Sequence, residues 1–233
     1  MASSTRTKPP QKATRSKGGR RLPPKVKTGP DIPMLPVVVG ALLVLLAAGL
    51  IAYNFINNKP VNVPSAAGIP CDQLEHTQTH YHAAVQIVSQ GVLHPIPANI
   101  GIVLDSSGTS VTCYYWLHVH PANPDVIHIE SPANDTFNLG QFFAVWNTWS
   151  TRSGGPSEPL DATHVSSFTL TPDQTLVVYI DANDGKGPQV YTGDPAKIVL
   201  KAHEVISLEI TSTAFPATTP PAFNWSSTAN AGL

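Results

Sequence analysis

The stretch TCYYWLHVHPANPDVIHIES, residues 112–131, decides the fold. In an extended chain, residues i and i+2 point to the same face. Cys113, Tyr115, Leu117 and Val119 therefore fall on one side, and Trp116, His118 and His120 on the other. After the PANPD connection the alternation resumes, with Ile127 and Ile129 opposing His128 and Glu130. Each half reads as a β-strand with its own apolar face, and so short a connection joins neighbouring antiparallel strands. Two such neighbours bring His118, His120, His128 and Glu130 to a common side.

Working outward, EHTQTHYHAAVQI (residues 75–87) supplies His80 and His82 at the same two-residue spacing, and these complete the group from a third strand. Further β-branched runs lie at 83–89, 101–105, 166–170, 175–181, 189–191, 198–201 and 205–211. Turn signals such as Gln90-Gly91, Ser107-Gly108, Gly154-Gly155 and Asp184-Gly185 separate them. Many short strands at this spacing predict a mainly β domain, a single sandwich or barrel. One segment breaks the alternation. NLGQFFAVWNTW (138–149) sets Phe142, Val145, Trp146 and Trp149 at helical spacings, which predicts one short amphipathic helix with those aromatics in the core.

Charge and hydropathy divide the chain. Residues 1–32 hold nine Lys or Arg, one acid and no aromatics, and read as a disordered basic arm. Residues 33–56 are almost wholly apolar, and about 20 such residues span a hydrocarbon core of ~30 Å. A cleaved signal peptide carries a shorter apolar run of ~7–15 residues, so an uncleaved transmembrane helix is expected. The basic arm before the span places the N-terminus in the cytoplasm by the positive-inside rule, and the main domain outside it. Residues 57–69 read as a linker, 70–213 as the β-rich extracytoplasmic domain, and 214–233 as a Pro/Thr/Ser-rich tail carrying Phe215, Phe223 and Trp225. Past residue 57, five basic residues face fourteen acidic ones, a net charge of −9, which argues against nucleic acid as a partner.

The two cysteines, Cys71 and Cys113, both fall in the outer part, where an oxidising compartment favours pairing. Cys113 also points away from His118 and His120, against thiolate ligation of a metal. The three pairs His80/His82, His118/His120 and His128/Glu130 form the candidate metal site. Imidazole donors with one carboxylate suit a transition metal, zinc or copper first, then iron or manganese. His94, His164 and His203 fall in turns or at strand starts and are left out of the ligand set. No nucleophile elbow and no phosphate-cradling glycine loop is present, so the sequence leaves open whether any reaction is catalysed.

The segments EHTQTHYHAAVQI, IPANIGI, WLHVHPANPDVIHIESP and FNLGQFFAVW, in this order, resemble a family of membrane-anchored extracytoplasmic proteins from bacteria and archaea that has no assigned activity. The resemblance covers roughly residues 71–147. It departs from the family pattern at Val119 and Pro121, where Thr and Asp are expected, and Pro121 removes a carboxylate from beside His120. The His-x-His pairs also resemble those of cupins, but Glu130 follows His120 by ten residues rather than about four, so that likeness is analogy only. Two functional expectations follow. One is metal handling, sensing or metal-dependent chemistry. The other is a structural accessory subunit of a larger membrane-bound complex, respiratory or photosynthetic, docked through the span, tail and acidic domain.

Overall fold

The computed structural model describes residues 34–57 and 63–233. Residues 1–33, which include the expected basic arm, and 58–62 lie outside the described residues. The chain divides after Lys59 into two compact units. The first contains helix α1 (Met34–Asn57), which has no charged side chain. At 1.5 Å per residue it reaches about 36 Å, and it is long and apolar enough to cross a membrane.

The second unit is a sandwich-like β domain whose sheets stay open, so of the two expected architectures it is the sandwich. Its larger sheet contains β2 (Thr79–Ser89), β3 (Val92–His94), β6 (Leu117–His118), β7 (Val126–Ser131), β10 (Gln174–Asp181), β11 (Gln189–Tyr191) and β12 (Val205–Ser212). The order is β11-β10-β12-β2-β7-β6, with β3 folded back on β2. All pairings are antiparallel except β12 with β2. A smaller sheet has the order β1 (Cys71–Asp72), β5 (Val111–Tyr115), β4 (Ile102–Leu104). A third, two-stranded sheet pairs β8 (His164–Val165) with β9 (Phe168–Thr169).

The single strand expected over 112–120 is therefore two. The chain bends at Trp116 and changes sheet, β5 serving the smaller and β6 the larger. Parity survives the bend: Cys113, Tyr115, Leu117 and Val119 are all buried in one core with Ile127 and Ile129. Tyr81, Ala83, Val85 and Ile87 join from β2, and Ile206, Leu208 and Ile210 from β12. Helix α2 (Leu139–Arg152) adds Leu139, Phe142, Phe143, Val145 and Trp146 to that core. Asn138 starts α2 with a reciprocal capping box, its side chain accepting from Gln141 N while the Gln141 side chain accepts from Asn138 N.

Three boundaries differ from the sequence expectation. The linker expected over 57–69 gives way to folded chain early, because Ala66 and Ile69 pair with each other and pack into the core. Residues 198–201 form no strand of their own; Val199 makes only a single bridge to Asn138 beside a 3-10 turn (Pro195–Lys197). The tail packs on the domain: Thr218 donates from its amide and its hydroxyl to Glu209, and Trp225 lies 4.9 Å from the His203 ring. Glu209 belongs to the second face of the larger sheet, with Gln86 and Ser207, which hydrogen-bond each other at 2.8 Å. That second face is buried where the tail meets it, and it carries the histidines.

Candidate metal centre

Register places the histidines. On β7, which lies between β2 and β6, Glu130 faces His80 of β2 and His128 faces His82. On its other side His128 faces His118 of β6. Apolar partners on the opposite face, Tyr81 with Ile129 and Leu117 with Ile129, lock this register, since a slip of one residue would bury the histidines among aliphatics. His120 lies two residues past the end of β6. The connection to β7 turns tightly through Asp125, whose φ of 70° is left-handed, and the Asp125 carboxylate accepts from Ile96 N at 2.7 Å.

The outcome is a chain of five imidazoles crossing three strands. Ring centroids lie 5.0 Å apart from His80 to His82, 4.4 Å from His82 to His128, 4.5 Å from His128 to His120 and 4.7 Å from His120 to His118. Glu130 Oε1 is 3.5 Å from both His80 Nε2 and His128 Nδ1. Two groups of ligand atoms each converge within 4.8 Å: His118, His120, His128 and Glu130 in one, and His80, His82 and Glu130 in the other. The six residues expected from the sequence fall into these two groups, a largely buried His/Glu cluster that could hold a metal ion, with His80 at its exposed edge. His94, His164 and His203 are placed elsewhere: His94 lies against Phe168, His164 against Asp161, and His203 against the backbone oxygen of Leu233.

The hydrogen bonds behind the rings determine which nitrogens face inward. His118 Nδ1 is 2.9 Å from the carbonyl oxygen of Tyr115, which can only accept, so Nδ1 carries the hydrogen. In the neutral ring the Nε2 lone pair then points to His120 Nε2, 3.0 Å away. His128 Nε2 donates to Asn123 Oδ1 at 3.1 Å, leaving Nδ1 towards His82 Nε2, also at 3.1 Å. Outer-shell acceptors of this kind fix the tautomer and orientation of metal-ligating histidines.

Electrostatics keep the donors in ligating form. Burial, then the positive potential of His128 and His80, pushes His82 down to about 4. Burial also lowers His128, and lowers His120 with help from His118 and His128. These rings stay neutral near pH 7, with lone pairs free for a metal. Burial, the largest influence, opposes ionisation of Glu130, yet its pKa falls, because at low pH the protonated rings beside it, His128 by hydrogen bond and His118 by charge, favour the carboxylate. The site is closed inward and open outward: the His118 side chain is 0% exposed and that of His80 is 45% exposed.

Sequence reasoning missed three contributors. Glu75 Oε1 lies 2.9 Å from His120 Nε2 and 3.5 Å from His118 Nε2. When the ring takes up a proton at low pH, the hydrogen bond and charge of His118, joined by those of His120, outweigh burial and hold the Glu75 carboxyl at about 2. Its position one residue before His76 in the first histidine segment was the available signal. Asn123 and the Tyr115 carbonyl carry no such signal. His76 turns aside to Asp72 at 2.8 Å, and Asp72 also accepts from Trp116 Nε1 at 2.8 Å. Cys71 and Cys113 form a disulfide that ties β1 to β5 and anchors the chain entering the Glu75 segment.

Comparison of the chain with family models, with curated proteins and with solved structures finds no match.

Proposed function

We propose that this protein is a membrane-anchored extracytoplasmic protein that binds a transition metal through its histidine cluster. The observation that carries the reading is the outward anchoring of two rings. Tyr115 O and Asn123 Oδ1 take the outer hydrogens of His118 and His128, so the inner nitrogens face His120, His82 and Glu130. A purely structural cluster needs no such arrangement of lone pairs. His118, His120, His128 and Glu130 are the ligand set, and zinc or copper suits donors of this type. A bound ion would serve as a Lewis acid or be held for transfer. Glu75 and Glu130 supply two carboxylates to balance its charge.

The disulfide suits an oxidising compartment, and α1 suits an anchor whose flanking basic arm is retained in the cytoplasm. The test uses the full chain in detergent, stripped with chelator and then titrated with zinc or copper(II). The double substitution His118→Ala/His120→Ala is expected to abolish tight binding, and His94→Ala to leave it unchanged. Equal affinity in wild type and double variant would overturn the reading. Protease added to spheroplasts should cut the domain and spare the N-terminal arm; the reverse pattern overturns the proposed orientation.

A further inference from the structure

The two ligand groups share one member. Glu130 stands in both, with His118, His120 and His128 on one side and His80 and His82 on the other. We infer that the cluster holds a pair of divalent transition-metal cations bridged by the Glu130 carboxylate. This rests on the metal-binding reading and goes beyond it in stoichiometry, in the role of Glu130 and in where an external ligand lands.

Donor count comes first. Six side chains exceed what one four-coordinate ion needs, and five of them are imidazole nitrogen donors gathered on one face. Divided at Glu130, they give an inner ion three nitrogens and one oxygen, and an outer ion two nitrogens and one oxygen. Spacing comes second. His80 and His82 stand one strand away from His128 and Glu130, and neighbouring strands are ~4.8 Å apart. Two-metal sites hold their ions ~3.5–4 Å apart, a span that donors from two neighbouring strands can serve when a carboxylate is shared between them. Glu130 Oε1, 3.5 Å from His80 Nε2 and 3.5 Å from His128 Nδ1, already lies between the two halves. Charge comes third. Two dications repel each other, and the bridging carboxylate, Glu75 and the net −9 of the chain past residue 57 oppose that repulsion.

The halves differ in access. His118 and His128 are buried, whereas His80 is exposed. The outer ion has three protein donors, of which His80 reaches solvent while His82 and Glu130 are buried, so its fourth position, on the His80 side, takes water or an oxygen-donor anion.

The test is metal stoichiometry on the full chain in detergent. Equilibrium dialysis of the chelator-stripped protein against zinc is expected to give two zinc per chain. His80→Ala, at an exposed position that the fold tolerates, is expected to lower this to one. Glu130→Gln keeps shape and removes the bridging charge, and is expected to hold one at most. Copper(II) loaded at two per chain should show the half-field paramagnetic resonance of a coupled pair, absent from His80→Ala. One zinc in the wild type, two retained in His80→Ala, or two uncoupled coppers overturns the paired site while leaving metal binding intact. No zinc bound by the folded wild type overturns the metal reading itself.

Discussion

Replacing the disulfide by Cys71→Ala/Cys113→Ala tests how far covalent constraint holds the sandwich around its site. The bridge closes a loop of 42 residues. In the chain-entropy model, releasing a loop of that length returns ~13 cal/mol/K to the unfolded chain, or about 4 kcal/mol at 25 °C. Cys113 is also buried in the core, and truncating its sulfur costs about 1 kcal/mol more. The expected loss is roughly 5 kcal/mol, a large part of the 5–15 kcal/mol typical of a domain. For 150–250 residues it corresponds to a fall in Tm of about 10–20 °C. The assay is guanidinium denaturation of both proteins with chelator present, so that bound metal adds nothing to either. The loop contains β2, β3 and β4, and the larger sheet pairs across its end through β7 rather than through the bridge. The variant should therefore fold and retain metal at saturating concentration. A loss under about 1 kcal/mol would refute the reasoning, because the unfolded chain would then owe nothing to this crosslink.

Other perturbations have equally definite outcomes. Gly101 has a φ of 74°, and a Cβ there would meet Leu117 O at 2.6 Å and His118 Cβ at 3.1 Å; Gly101→Ala should cost about 2–4 kcal/mol by thermal melting and disturb metal binding through His118. Asn123→Ala removes the acceptor behind His128 and should weaken metal affinity roughly 10–100-fold in a competition titration without changing Tm in chelator by more than about 2 kcal/mol in equivalent stability. Burial raises the pKa of Glu204 despite its hydrogen bond from Lys201 N. Its folded state therefore favours the protonated acid, a contribution present at low pH and lost as pH rises through the folded pKa. Glu204→Gln should raise Tm at pH 7 and lose that advantage below pH 4; a constant gain at all pH values would exclude ionisation as the cause.

Strand parity made the site readable in the sequence. His118, His120, His128 and Glu130 could be assigned to one face because Leu117, Val119, Ile127 and Ile129 claimed the other, and the core holds those four aliphatics. The helical spacing of Phe142, Val145, Trp146 and Trp149 likewise announced α2. The bend at Trp116 was not legible, since strand alternation continues through it and only pairing with β1 and β4 reveals that β5 serves another sheet. Residues 63–69 and the tail look like linkers by composition. Their burial depends on a surface assembled from distant strands, as in the contact of Thr218 with Glu209. Asn123 was hidden for the same reason: an asparagine in a Pro-rich turn is an ordinary turn residue until its side chain is seen behind His128.

The central claim is that the imidazole cluster binds metal, and elemental analysis of the full chain tests it most directly. The chain would be purified in detergent without chelator and measured for zinc, copper, iron and manganese beside His118→Ala/His120→Ala prepared in parallel. The account predicts at least one transition-metal equivalent per wild-type chain and a loss of that metal in the double variant. A folded wild-type chain that stays metal-free after all four ions are supplied would contradict it.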